Sequence, residues 1–182
     1  MRIISGKFKG RRFSPPPNFR ARPTTDFAKE NLFNILNNRI DWEDIVCLDL
    51  FGGTGSISFE LISRGAPEVT CVEKDAVHYS FISKTKEALD ITNLKTIKGD
   101  VFRFLETCDK KFDFIFADPP YDLRNFEDVP RLIIERGLIK EGGLFILEHS
   151  KDYDFSIYDI YTEKRTYGSV NFSFFDMAPV GE

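Results

Sequence analysis

Cysteine is scarce in this chain and badly spaced for its usual structural roles. Cys47, Cys71 and Cys108 make an odd number with no C-x-x-C pair, which argues against a disulfide framework and against a zinc site. Cys47 and Cys71 fall inside apolar, strand-like runs, where a thiol acts as a small buried hydrophobe. The two histidines, His78 and His149, stand apart from any second ligand pattern, so no metal is expected. No apolar run approaches the roughly 18 residues of a membrane span, and Met1-Arg2-Ile3-Ile4-Ser5-Gly6 lacks the hydrophobic segment of a secretion signal. The chain therefore reads as cytoplasmic, with no membrane partner.

Acidic residues are missing from the first 25 positions, although the chain as a whole carries a net charge of −4. That stretch contains Arg2, Lys7, Lys9, Arg11, Arg12, Arg20 and Arg22, a charge of +7, and leaves −11 for residues 26–182. Cations gathered at one end are what an arm that tracks phosphates requires. Phe8, Phe13 and Phe19 are interleaved with them, placed either to stack on bases or to pack the arm onto the body. Gly6 and Gly10 separate Ile3-Ile4-Ser5 from Arg11-Arg12-Phe13, a spacing that predicts a short hairpin. Pro15-Pro16-Pro17 then forms an extended, stiff spacer without backbone donors. Residues 1–22 are thus expected to form a basic arm and residues 23–182 the folded body. With 182 residues, 42% of them hydrophobic and 19 of them phenylalanine, the chain suits one domain with a modest appendage, expected to act as a monomer.

After the arm the pattern alternates. Thr24 or Thr25 is placed to cap a helix with Asp26 and Glu30 near its start and Ala28, Leu32, Ile35 and Leu36 on one face. Strands are expected at 45–50, 69–73, 94–98, 112–117 and 143–148, with helices at 56–64, 75–89, 101–107 and 127–136 between them. This is the signature of an α/β fold: an open, mostly parallel sheet covered by helices on both faces, with ligands at the carboxyl ends of the strands. Two further runs, 156–161 and 170–175, are read as an antiparallel pair joined through Gly168-Ser169, so that the sheet ends in a hairpin.

The candidate site residues lie at those strand ends. Asp49-Leu50-Phe51-Gly52-Gly53-Thr54-Gly55 puts three glycines between a buried strand and a helix, giving a tight turn and free amide donors suited to a carboxylate. Its spacing is neither G-x-G-x-x-G nor a nucleotide-triphosphate loop. Glu73, with Lys74 beside it, ends the next strand, 18 residues past Gly55, close to the spacing of about 20 at which a carboxylate meets ribose hydroxyls. Asp100, followed by Val101, ends the third and is placed to accept from an adenine amine. Together Asp49, Glu73 and Asp100 fit a ligand with an amino acid, a ribose and an adenine, namely S-adenosylmethionine. Asp118-Pro119-Pro120-Tyr121 follows the run 112–117: a carboxylate, two rigid imino acids and a ring that suit a flat molecule carrying an NH₂ group, with Asp118 also expected to meet the cofactor. Asp122-Leu123-Arg124-Asn125 is read as a lid.

With these motifs the chain resembles the Rossmann-like methyltransferases that use S-adenosylmethionine. Asp49 to Gly55 is similar to their first motif, Glu73 to their ribose acid, Asp100 to their adenine acid, and Asp118 to Tyr121 to the D-P-P-Y motif of enzymes that methylate amino groups. Phe51 departs from the glycine of many members and matches branches that carry an aromatic there. The resemblance implies a seven-stranded sheet. A closer resemblance, to the bacterial 16S ribosomal RNA guanine-N2 methyltransferases of the RsmD type, rests on Arg2-Ile3-Ile4-Ser5-Gly6-Lys7 with Gly10-Arg11, and on Arg22-Pro23-Thr24-Thr25-Asp26 with Glu30, Leu32, Phe33 and Asn34. It implies methyl transfer to N2 of a guanine (guanine 966 in that family) in ribosomal RNA, within the small subunit or an assembly intermediate. It further implies RNA contacts from Arg2, Lys7, Lys9, Arg11, Arg12, Arg20, Arg22 and Thr24. The alternatives are an adenine-N6 methyltransferase of DNA or RNA, which also uses D-P-P-Y, and a noncatalytic RNA-binding module on the same fold.

Overall fold

The computed structural model describes residues 1–19 and 26–178. Its centre is a seven-stranded sheet in the order β3-β2-β1-β4-β5-β7-β6. The first five strands, β1 (Val46–Leu50), β2 (Glu68–Glu73), β3 (Leu94–Lys98), β4 (Phe112–Ala117) and β5 (Ile139–His149), run parallel; β6 (Tyr161–Tyr167) and β7 (Val170–Asp176) close the sheet as an antiparallel hairpin. Helices α1 (Asp26–Leu36), α2 (Ser56–Ser63) and α3 (Ala76–Ala88) cover one face, and α4 (Val101–Thr107) and α5 (Asp128–Glu135) the other. The central strands read as nearly continuous apolar runs because both of their faces are buried. Phe114, Phe116, Phe172 and Phe174 fill one core, while Phe112, Phe126, Phe145 and Phe175 fill the other. Each fully buried ring contributes about 1.5–3 kcal/mol, which accounts for the heavy use of phenylalanine.

Three elements differ from the sequence expectation. The penultimate strand is Tyr161–Tyr167, whereas 156–161 is a chain of turns that ends where the strand begins; there the Ser156 amide bonds Asp154 and the Tyr158 and Tyr161 amides bond Phe155 and Tyr158 carbonyls. β6 is an exposed edge strand of mostly polar residues, so it carries no apolar signal, while Tyr158 and Ile160 pack against the core from a loop. β5 starts at Ile139, four residues earlier than expected, because Ile139 pairs with Phe112 and a register shift absorbs the two glycines before Leu144. On α1 the buried face carries Lys29 and Phe33 in addition to Ala28, Leu32 and Leu36, with Ile35 only partly covered. The expected caps Thr24 and Thr25 lie outside the described residues.

Helix α2 is buried on every side although half of its residues are polar. The N-terminal arm explains this. The Arg2–Arg12 antiparallel bridge and the bonds Ile3 N to Arg11 O (3.0 Å) and Gly10 N to Ile3 O (2.9 Å) shape the arm as a hairpin-like turn too irregular for named strands. It lies across the outer face of α2: Ile4 and Ser5 amides donate to the Glu60 carboxylate (2.8 and 3.0 Å), the Phe8 amide to the Ser63 hydroxyl (2.9 Å) and the Lys7 amide to the Ser63 carbonyl (2.7 Å). Gly6 makes that approach possible. A Cβ there would sit 1.7 Å from the Ser63 carbonyl oxygen, and the residue holds φ +77°. Ile3 is buried in the main core, and Phe8 and Phe13 pack against it. These two rings therefore serve packing of the arm onto the body.

Candidate functional site

The sheet order reverses between β1 and β4, and such a switch point leaves a crevice at the carboxyl ends of the two strands. Leu50 of β1 lies beside Ala117 of β4, and the Asp118 amide still donates to the Leu50 carbonyl at 3.3 Å. The glycine loop that leaves β1 and the D-P-P-Y segment that leaves β4 are thereby forced to face one another. Between them opens a cavity of about 800 Å³. Asp49, Phe51, Gly52, Gly53, Thr54, Glu73, Lys74, Asp100, Val101, Asp118, Pro119, Pro120 and Tyr121 all line it.

Within the loop, Phe51 takes φ 63°, a left-handed conformation uncommon for a bulky side chain. At Gly52 a Cβ would stand 2.3 Å from the Cys71 sulfur, so the loop lies directly on β2. Of Asp49 to Gly55, Leu50 and Gly55 do not line the cavity; Gly55 occupies the N-cap of α2 and has no side chain to cap it, while Asp49 accepts from the third helical amide, that of Ser58. The Ser56 and Ile57 amides are left for a ligand's anionic group, with the helix dipole favouring it.

The acids divide into different tasks. Asp49 is 2% exposed and accepts from both the amide (3.1 Å) and the hydroxyl (2.6 Å) of Ser58. Burial pushes its carboxyl up to about 7, against the opposing pull of the two Ser58 bonds. Glu73 accepts from the Gly53 amide on one oxygen and the Asp75 amide on the other, both at 2.7 Å, and so shapes the loop as well as facing the cavity. Asp100 caps α4 by accepting from Phe102 and Arg103 amides, and Lys74 donates to it at 3.0 Å. The Lys74 bond holds its carboxyl below the ordinary value. Pro119 is buried, Tyr121 is exposed, and the Leu123 amide closes a turn on the Pro120 carbonyl at 3.0 Å within the segment read as a lid.

Sequence reasoning missed several lining residues. Ser56 and Ile57 begin α2, Ala76 and His78 belong to α3, and Phe102 belongs to α4; periodicity assigned these only to helices. Phe19, which the sequence left open as a base-stacking ring, stacks on His78 with centroids 4.0 Å apart. Glu148, 4% exposed, lines the cavity from the end of β5, the strand next to β4; a carboxylate ending a fifth strand was the available signal. Of the arm cations, Lys7, Lys9, Arg11 and Arg12 are exposed and enter no ion pair among the described residues, whereas Arg2 is paired with Asp26 and Glu30 of α1. Arg20, Arg22 and Thr24 lie outside the described residues. Among the described residues no group of His, Cys, Asp and Glu could hold a metal, and no helix is long and apolar enough to cross a membrane.

The sequence and the fold have relatives among known proteins. The family model described as "Conserved hypothetical protein 95" matches residues 1–176. The chain is 33% identical to "Ribosomal RNA small subunit methyltransferase D" of Buchnera aphidicola subsp. Baizongia pistaciae over 81% of this chain and 75% of that one. It is 31% identical to the protein of the same name from Escherichia coli, over 81% and 74% of the two chains. The solved yhhF protein of Escherichia coli superposes with a TM-score of 0.86 at 26% identity, covering 98% of each chain. A match that runs from the arm through the terminal hairpin, with relatives above 30% identity over four-fifths of the sequence, places the chain in the ribosomal RNA small subunit methyltransferase D family.

Proposed function

We propose that this protein transfers the methyl group of S-adenosylmethionine to the exocyclic N2 amine of a guanine in 16S ribosomal RNA. The observation that carries the reading is the position of Asp118-Pro119-Pro120-Tyr121 across one cavity from the glycine loop, Glu73 and Asp100. The donor set suits the cofactor: open α2 amides for a carboxylate, Asp49 for an ammonium, Glu73 for ribose hydroxyls, and Val101 and Phe102 as apolar walls beside Asp100 for an adenine. When bound, the cofactor supplies an electrophilic methyl group on a sulfonium, so neither a metal nor a covalent enzyme intermediate is needed.

The chain's own task is to position the amine and accept its developing charge. A guanine N2 lone pair is delocalised into the ring. The Asp118 carboxylate and the Pro119 carbonyl would accept hydrogen bonds from the two N–H groups of the amine and favour a pyramidal nitrogen as the N–C bond forms and the bond from the methyl carbon to sulfur breaks; the methylated ammonium then gives one proton to solvent. Pro119 and Pro120 keep these acceptors rigid, and the exposed Tyr121 ring offers a face to the base. A base paired in a helix cannot reach this cleft, so the target is unpaired or flipped. Lys7, Lys9, Arg11 and Arg12, which enter no ion pair among the described residues, form the positive surface for the RNA backbone.

Mass spectrometry of nucleosides tests the reading. Small subunits and naked 16S RNA lacking the modification are incubated with methyl-labelled cofactor and the labelled nucleotide is mapped. N2-methylguanosine at one position is expected; N6-methyladenosine or no label would replace the reading.

A further inference from the structure

Lys29 of α1 is fully buried between the arm and α2. Its ammonium donates to the Arg2 carbonyl at 2.6 Å and to the Ser56 hydroxyl at 2.8 Å, with the Glu60 carboxylate at 3.8 Å. Neutralising Glu60 does not account for this placement. Glu60 already accepts from Arg64 (Nε at 2.9 Å, Nη2 at 2.8 Å) and from the Ile4 and Ser5 amides, so the two short Lys29 bonds go elsewhere.

An ammonium can only donate, so in the contact with Lys29 the Ser56 oxygen must accept, and its single proton is left for another partner. Ser56 is the first residue of α2 and lines the cavity. We propose that Lys29 is a positioning residue that holds the Ser56 hydroxyl as a proton donor toward an anionic group in the cavity and ties that donor to the docked arm. On the reading given above, which this inference rests on, the anionic group is the carboxylate of the cofactor's amino-acid half. The same Lys29 ammonium grips the arm through Arg2, and its neighbour Glu60 grips it through Ile4 and Ser5. Cofactor binding and arm docking therefore share one buried cluster, and coupling between them is reciprocal.

Calorimetric titration of the full chain with S-adenosylmethionine tests this, using Lys29→Met, Ser56→Ala and the double variant. Each single change is expected to weaken binding about five-fold or more, and the double to be no weaker than the worse single within about two-fold, since both remove one contact. Hydrogen exchange supplies a second readout. Saturating cofactor should raise protection of the arm amides of Ile3, Gly10 and Phe13 in the wild type and leave it unchanged in Lys29→Met. Should Lys29→Met fail to fold, Ser56→Ala, which removes no arm contact, must still abolish the cofactor-induced arm protection. Additive losses, or arm protection that responds in Ser56→Ala as in the wild type, would overturn the inference while leaving the cofactor reading intact. A wild-type chain that takes up no S-adenosylmethionine would overturn both.

Discussion

Asp49 is bound through one carboxylate oxygen to both the amide and the hydroxyl of Ser58, which pins the end of β1 to the first turns of α2. Burial raises this carboxyl from the ordinary 3.8 to about 7, with Asp118 and Glu73 adding like charge. The sign follows from linkage: a raised folded-state value contributes stability that is full below the unfolded pKa and is lost as pH rises through the folded one. Asp49 should therefore make the ligand-free protein less stable between about pH 4 and 8. Cofactor binding should run the other way, because the ammonium proposed to lie beside Asp49 favours its charged form; affinity should rise on the order of tenfold from about pH 5.5 to 7.5. Urea midpoints and calorimetry across that range check both trends, and Asp49→Asn should flatten both.

Asp118→Ala separates binding from chemistry. On the proposed role of this carboxylate at the amine that is methylated, cofactor affinity should stay within about three-fold while single-turnover transfer falls by at least about 10². Wild-type turnover in this variant would remove Asp118 from the role assigned to it.

Much of this organisation was legible in the sequence because the central strands bury both faces and announce themselves as apolar runs. The loop from Asp49 to Gly55, the acids Glu73 and Asp100 and the D-P-P-Y segment all sit at the ends of such runs, so reading the strands located the cavity. The misses share a physical cause. β6 hides because an edge strand is polar, and Tyr158 and Ile160 imitated a strand while packing from a loop. Lys29 sits on the apolar face of a helix, where periodicity sees only a charged residue out of place; its partners Arg2, Ser56 and Glu60 are 27 to 31 positions away in sequence. Phe8 and Phe13 could be assigned to packing only once the arm was seen lying on α2.

Glu73 supports the loop and, on the proposed reading, binds the ribose, and removing it should show both. Its carboxylate holds the Gly53 and Asp75 amides, so Glu73→Ala frees the loop before any ribose contact is lost. Leaving two partly buried amide donors without their carboxylate costs about 1–3 kcal/mol each. Thermal unfolding of the ligand-free variant should shift down by several degrees. Cofactor affinity should drop about a hundred-fold, more than Asp118→Ala produces, and the two shifts measured side by side distinguish loop support from ribose binding.

The arm cations should separate by salt dependence. Lys7, Lys9, Arg11 and Arg12 are exposed and enter no ion pair among the described residues, whereas Arg2 spends its guanidinium on Asp26 and Glu30. If each of the four meets one phosphate of an unpaired strand, replacing all four with serine lowers the slope of log affinity against log salt by about 3, at about 0.7 per phosphate. Unfolding and cofactor affinity should be nearly unchanged, because among the described residues these side chains make no ion pair and only Lys7 contributes a packing contact, over the Phe8 ring at 5.2 Å. Arg2→Ala should behave in the opposite manner: its ion pairs lock the arm to α1, so the arm amides lose exchange protection while the salt slope changes by less than about 1. RNA titrations at four salt concentrations on both variants decide between them, and equal slopes would mean that the arm binds RNA through something other than its free charges.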